Sequence, residues 1–477
     1  MSKAEPGGQI SRAAQNRVLF CVALADFVYE VETNSVDIAI PVIRQAFDLT
    51  TSQVSFVSLV YLLLDAMVLL TVSWAARRWN ISRVFCLACL CMAAGAACCA
   101  LSPDFVWLLG GRVLQGIGAG AVSALCYAII PVYLPADRVG WRYSWLSTMA
   151  GLGMIVGAPV GGFLTEAVSW RGVFGFTAVL LLFLALCVYR WLPAAPSAAD
   201  ARQRFDWQGA VLFACGLTTG INGLSWGQEL GWASGETWLL AAVSAACFGL
   251  AFRRREGCEP LFPAALLCNA PYRAGLAITF AIVACVEGSR FLLPLYLNSV
   301  YQAHVGFVSL ALAVFSAAYV AGARLSRRLA VRLDDYVLVR GVAVAGAGVC
   351  GLFAMKLTTV GIPGVYGFCL LLGLTAGMLI PITNAFLMKQ VTAEHHTEAG
   401  VIISLVAGIG SLVGVSSFET AFSFPFPGGN AYLSGQWPVA EMLYEGGRNA
   451  FLLGGLLLLA AVSVLSLAGG RQRVRSR

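Results

Sequence analysis

Within segments that are otherwise apolar, the chain carries Asp26, Glu30, Glu32, Asp37, Asp65, Arg112, Glu287 and Arg290. A charged side chain at the centre of a bilayer costs roughly 2.5–3.5 kcal/mol or more, so such groups are read first as sites for protons, substrate or partner charges. Asp26, Glu30 and Asp37 fall within about 40° of one another on a helical wheel, whereas Glu32 lies about 120° from Asp26. A stripe of carboxylates is untenable against lipid, so it must line an aqueous cavity or meet cations, and a carboxylate so placed can carry a proton. The plainer alternative is that Asp26 and Asp37 sit near the membrane surfaces and are merely solvated. Arg112 needs an acidic partner. Glu287 and Arg290 are three residues apart, share a helix face and can pair, either locking helix packing or offering a polar substrate both signs of charge.

These residues need spans to hold them. Of 477 residues, 59% are apolar and 12% charged, against roughly 45–50% and about 25% in soluble domains. Lipid must therefore be the solvent for most of the chain, which excludes soluble enzymes and nucleic-acid binders as leading readings. With about 20 apolar residues needed per crossing, fourteen spans are expected in a pattern of six, two and six. The first six are 18–39, 54–76, 84–101, 105–130, 144–164 and 173–189, followed by 207–224 and 237–252. The last six are 274–298, 305–323, 337–355, 365–387, 400–418 and 450–467. The expected fold is an all-α integral membrane protein with an N-terminal six-helix bundle (1–206), two inserted helices and a loop (207–268), and a C-terminal six-helix bundle (269–477).

All but six of the 31 Lys and Arg residues fall in alternate loops or at the termini. The exceptions are Arg44, Arg171, Lys356 and Arg448 in the opposite loops, and Arg112 and Arg290 within spans. By the positive-inside rule both termini are expected in the cytoplasm. The polar start with Lys3, Arg12 and Arg17 precedes a long apolar stretch without a cleavage signature, so an uncleaved first span is expected. The fifteen cysteines avoid the outward loops, which argues against an external disulfide framework. Gly153, Gly157 and Gly161 recur every fourth residue, with Gly151, Gly162 and Pro159 among them, as a flat strip allowing close helix approach and a kink. Gly410 and Gly414 echo that strip.

Three further signals carry little. Gly346, Gly348 and Gly351 lie within a span with no preceding strand, which argues against a dinucleotide site. Asn80–Ser82 matches a glycosylation acceptor on the cytoplasmic side. Glu394, His395, His396 and Glu398 could ligate a metal, but solvated loop residues are the simpler reading. No metal or cofactor is expected.

The same residues resemble the fourteen-helix drug:proton antiporter branch of the major facilitator superfamily over essentially the whole chain. Arg112, Gln115, Gly116, Gly118 and Gly120 look like its Arg-x-x-Gln-Gly motif, whose arginine the resemblance implicates in proton coupling. The run from Gly153 to Gly162 with Pro159 is similar to the antiporter motif associated with exporters. Glu32 to Pro41 resembles the fourteen-helix motif Leu-Asp-x-Thr-Ile-Val-Asn-Val-Ala-Leu-Pro, with Glu32 at the Asp and Asp37 at the Asn. Trp170 with Arg171, and Asp206 to Gly209, also look like landmarks. The loop after the second helix departs from the family: Ser73, Arg77, Arg78, Trp79, Asn80 and Arg83 stand where two glycines and an acid are usual.

The resemblance implies a proton-coupled exporter of small organic molecules, not an enzyme, in the cell inner (plasma) membrane. Lipophilic cations or drugs are the first substrate class, and a polar or zwitterionic metabolite such as a siderophore is the alternative. A non-transporting sensor or scaffold is the reading from another class. The expected partners are substrate, protons and lipid, with no nucleic acid, and the expected state is a monomer. Proton coupling is assigned to Glu32, Glu30, Arg112 and Asp37. Asp26, Asp65, Glu287, Arg290 and Gln115 are assigned to the substrate cavity, and Gly153, Gly157, Pro159, Gly161 and Gly162 to conformational packing. The motif favours Glu32 as the principal carboxylate and the stripe favours Glu30, so both stand.

Overall fold

A computed structural model describes residues 12–133, 139–193, 206–230, 234–251, 268–330, 332–356, 361–391, 396–424 and 440–475. Fourteen helices occur among them. They are α1 (Arg12–Ala46), α2 (Thr51–Trp79), α3 (Ile81–Ala100), α4 (Phe105–Tyr133), α5 (Val139–Ala167), α6 (Trp170–Trp191) and α7 (Trp207–Leu230). The rest are α8 (Gly235–Ala251), α9 (Ala270–Tyr301), α10 (Val305–Leu329), α11 (Asp335–Lys356), α12 (Gly361–Lys389), α13 (His396–Ser423) and α14 (Ala440–Arg475). Each of the fourteen expected spans falls on a helix of its own. Eleven of the helices are long and apolar enough to cross a membrane by length and composition alone. The other three are α1, whose acids interrupt the apolar stretch, α7, whose apolar stretch is broken by polar residues such as Gln208 and Asn222, and α8, a shorter apolar helix of 17 residues.

Local sequence explains the short turns. Thr50 and Gln53 form a reciprocal capping box at the start of α2, satisfying backbone donors that the helix leaves free. Asn80 takes φ 79° and accepts from Ser82 N, so one residue ends α2 and caps α3. Asp206 accepts from Gly209 N at 2.8 Å and opens α7. α1 passes through Pro41 and remains helical to Ala46, so the angular relation among its acids holds in three dimensions.

In the first half α1 packs on α5, α6 and α4, and α3 packs on α4 and α6; in the second, α9 packs on α13 and α14, and α10 on α12. The halves meet where α5 lies on α10, α2 on α13 and α1 on α9, and α7, which packs on α8, lies against α2 and α13. One apolar core holds Phe85, Met92 and Leu184 of the first half, a second holds Phe418, Phe451 and Tyr296 of the second half with Ile38 and Ala158 packed in, and a third joins both halves and the inserted helices through Ile40, Phe174, Phe213, Phe291 and Leu412.

Glycines set the closest approaches. A Cβ on Gly153 would lie 2.5 Å from the Phe27 carbonyl oxygen, one on Gly157 2.8 Å from Asn34 Cβ, and one on Gly161 2.6 Å from Ser35 Cα. The strip therefore seats α5 on α1, with Ser35 Oγ donating to the Gly157 carbonyl at 2.8 Å. Gly162 turns the other way, onto Ser309 of α10. In the second half Gly410 meets the backbone of Phe280 and Gly414 that of Ala284, so α13 seats on α9 as α5 does on α1. The described cysteines are free thiols.

Candidate functional site

α1 presents charge on two sides. Toward α4, Glu32 is completely buried and accepts three hydrogen bonds. Arg112 Nη1 donates to its Oε1 at 2.9 Å, Gln115 Nε2 to the same oxygen at 3.0 Å, and the Tyr61 hydroxyl to Oε2 at 3.1 Å. Arg112 is fastened further, with Nη1 on Gln115 Oε1 at 3.0 Å and Nε on the Val57 carbonyl at 2.8 Å. Its guanidinium lies 4.2 Å from the Tyr61 ring centroid, a cation–π contact. Gly116 and Gly120 of the Arg-x-x-Gln-Gly run bring α4 against the α2 backbone at Tyr61 and Asp65, which allows this network to close.

Toward α9, Arg290 donates from Nη2 to Asp37 Oδ2 at 2.6 Å and from Nη1 to Glu287 Oε1 at 3.1 Å. Glu30 accepts from Asn34 Nδ2 at 3.3 Å and is an electrostatic neighbour of Arg290 and Glu287. Tyr319 of α10 neighbours the same three charges, and Gly153 of α5 approaches Glu30 Cβ. Four helices from both halves thus converge on one arginine and three carboxylates. If all four are ionised the group carries two net negative charges, so it can accept protons or a cationic group, while Arg290 can bind an anionic one.

The expected residues therefore form two clusters on different sides of α1 instead of one. Glu32, Arg112 and Gln115 make the first; Glu30, Asp37, Glu287 and Arg290 make the second. Asp26 and Asp65 join neither by hydrogen bonds: Asp26 Oδ2 and Asp65 Oδ1 are buried without a hydrogen-bond partner. Asp26 is 5% exposed, so it is not solvated at a membrane surface. Pro159 lies within α5, and the helix continues through it. Arg171 stacks 4.2 Å from the Trp170 ring and donates to the Ser102 carbonyl, a fastening of α6 to the end of α3. Glu394 and His395 lie outside the described residues.

Sequence reasoning missed Tyr61, Asn34 and Tyr319. Asn34 stands four residues after Glu30, a helical spacing that signals contact. Tyr61 and Tyr319 have no such signal, because their roles depend on which helices meet.

Two ion pairs are buried among these apolar helices, and one of them, Asp37–Arg290, joins the two halves of the chain, as a membrane transporter that moves one half against the other would require. The sequence profile described as Major Facilitator Superfamily matches residues 18–415, and the chain belongs to that family. Similar proteins include a multidrug resistance protein B homolog of Mycobacterium tuberculosis, 28% identical across 85% of this chain and 76% of that one. The methylenomycin A resistance protein of Bacillus subtilis is 25% identical, across 94% and 93% of the two chains. Among solved structures, a bacterial homolog of the human lysosomal transporter Spinster, inward-facing and unoccupied, superimposes with TM-score 0.68 at 16% identity, covering 96% and 98%. At that identity it bears on the fold alone.

Proposed function

We propose that the chain is a proton-coupled antiporter that exports small organic molecules, with lipophilic cations or drugs as its first substrate class. The carrying observation is the fully buried Glu32–Arg112 ion pair, together with a second ion pair, Asp37–Arg290, that ties α1 to α9. Protonation of an α1 carboxylate removes one charge of a pair and frees its arginine, so proton binding and substrate binding compete for the same groups. The drug-resistance names of the relatives support the direction of transport, and the α5 glycine strip agrees with the exporter motif.

In this reading residues 1–206 and 269–477 form two bundles that rock about a central site, with 207–268 as an insertion. The chain sits in the cell membrane as a monomer with both termini in the cytoplasm, following the Lys and Arg distribution. The test is substrate-driven proton movement in everted membrane vesicles, with ethidium as the cationic probe. Wild type should exchange protons for ethidium and the Glu30→Gln, Glu32→Gln double variant should not; undiminished exchange in the double variant sinks the assignment.

Arg290 supports a second substrate reading, a polar or zwitterionic metabolite whose anionic group takes the guanidinium from Asp37 while its cationic group meets Glu30 or Glu287. Arg290→Gln leaves ethidium export intact but abolishes zwitterion export under this reading. Absence of proton-coupled flux across a broad compound panel would favour a sensor or scaffold.

A further inference from the structure

Asp65 stands apart from both clusters. It is 8% exposed, and its Oδ1 is buried with no hydrogen-bond partner. Its electrostatic neighbours are Glu32 and Tyr29 from α1 and Tyr61 one turn earlier on α2. The α4 cation Arg112 is committed elsewhere, with Nη1 and Nε on Glu32, Gln115 and the Val57 carbonyl. Gly120 of α4 packs on the Asp65 backbone, and α13 presents Gly408, with no side chain, to the adjoining Ala66. An ionised Asp65 would therefore add a second negative charge beside Glu32 with no donor on its buried Oδ1, and a buried charge short of partners is unfavourable.

We propose that Asp65 is a proton-carrying residue separate from the Glu32–Arg112 pair, holding an exchangeable proton in the conformation described, in which Glu32 is paired with Arg112. The two carboxylates divide the work by environment. Glu32 has three donors and a cation, so protonating it must dismantle a network. Asp65 has no hydrogen bond at Oδ1 to lose, so a proton can leave or arrive there without breaking one. Once Asp65 is deprotonated, its charge opposes that of Glu32 at close range, and the Glu32–Arg112 pair feels the change. Asp26 shares the burial and the unpartnered oxygen, but its charged neighbour is Glu30, so it has no such link to Arg112.

The inference deepens the antiport reading but can be tested without any transported compound. The full chain in lipid nanodiscs is followed by infrared spectroscopy with isotope-labelled aspartate at neutral pH, comparing wild type with Asp65→Asn. The expected result is loss of one carboxylic-acid carbonyl contribution that, in wild type, shifts within minutes of transfer to deuterated buffer. Loss of a carboxylate band instead overturns the proposal, and so does a carbonyl band that fails to exchange, which would mark a static protonated residue. If Asp65→Asn does not fold, Asp65→Glu gives the same discrimination, because the acid band then loses its aspartate label. Failure here leaves the vesicle result standing, and a wild type that moves no protons for ethidium counts against antiport without altering the infrared outcome.

Discussion

Asp37 on α1 and Arg290 on α9 meet at 2.6 Å across 253 residues of chain. Glu287 holds the same guanidinium from its other nitrogen, so Arg290 is shared between a carboxylate on its own helix and one from the other half. A rearrangement that separates α1 from α9 must break the first contact and can leave the second intact.

That sharing predicts energetic coupling. In a double-mutant cycle on thermal stability in detergent, Asp37→Ala and Arg290→Ala should be non-additive by about 0.5–3 kcal/mol. Replacing Glu445 and Arg448 by Ala, an ion pair whose side chains are about half exposed, should show coupling below about 1 kcal/mol. Additive behaviour at Asp37 and Arg290 would mean that the contact carries no energy.

Glu32 and Arg112 predict a larger single-site effect. Glu32→Ala leaves a buried guanidinium without its carboxylate, which should destabilise by about 3–5 kcal/mol. Glu32→Gln keeps the shape and two polar atoms, so it should unfold later than Glu32→Ala in a thermal ramp yet still lose proton-coupled ethidium transport.

Packing predicts a graded glycine series. Gly153→Ala forces a methyl group onto the Phe27 carbonyl and Glu30, and overpacking of this kind costs about 1–3 kcal/mol. Gly175 of α6 has open space where a Cβ would go, so Gly175→Ala should be neutral or slightly stabilising. Equal melting temperatures for the two variants would contradict the close α1–α5 contact.

At the end of α5, Glu166 Oε1 accepts from Gly306 N at 2.8 Å, while His304, the N-cap residue of α10, makes no side-chain cap. A carboxylate from one half thus caps a helix of the other, a bond worth about 1 kcal/mol. Glu166→Ala should loosen that side of the molecule. Spin labels on the last turn of α5 and the first of α10 should report longer distances than in wild type, and an unchanged distribution would refute the tether.

Eleven of the fourteen helices were legible because lipid imposes a length and an apolar composition on a crossing, and the glycine strip was legible because close approach requires an absent side chain. The Glu287–Arg290 pair followed from helical spacing. The partners of Glu32 and Asp37 did not follow, since the wheel separates the two acids by angle but says nothing about which helix stands opposite each.

The sequence by itself therefore determined the spans, the division of α1 into two charged sides and the supply of two intramembrane arginines. Tertiary structure alone decided that Arg112 belongs to Glu32, that Arg290 reaches back to Asp37, and that Asp65 has no cation of its own. Periodicity along one helix is a local property, whereas pairing depends on contacts between helices distant in the chain, and those are set by where glycines let backbones meet.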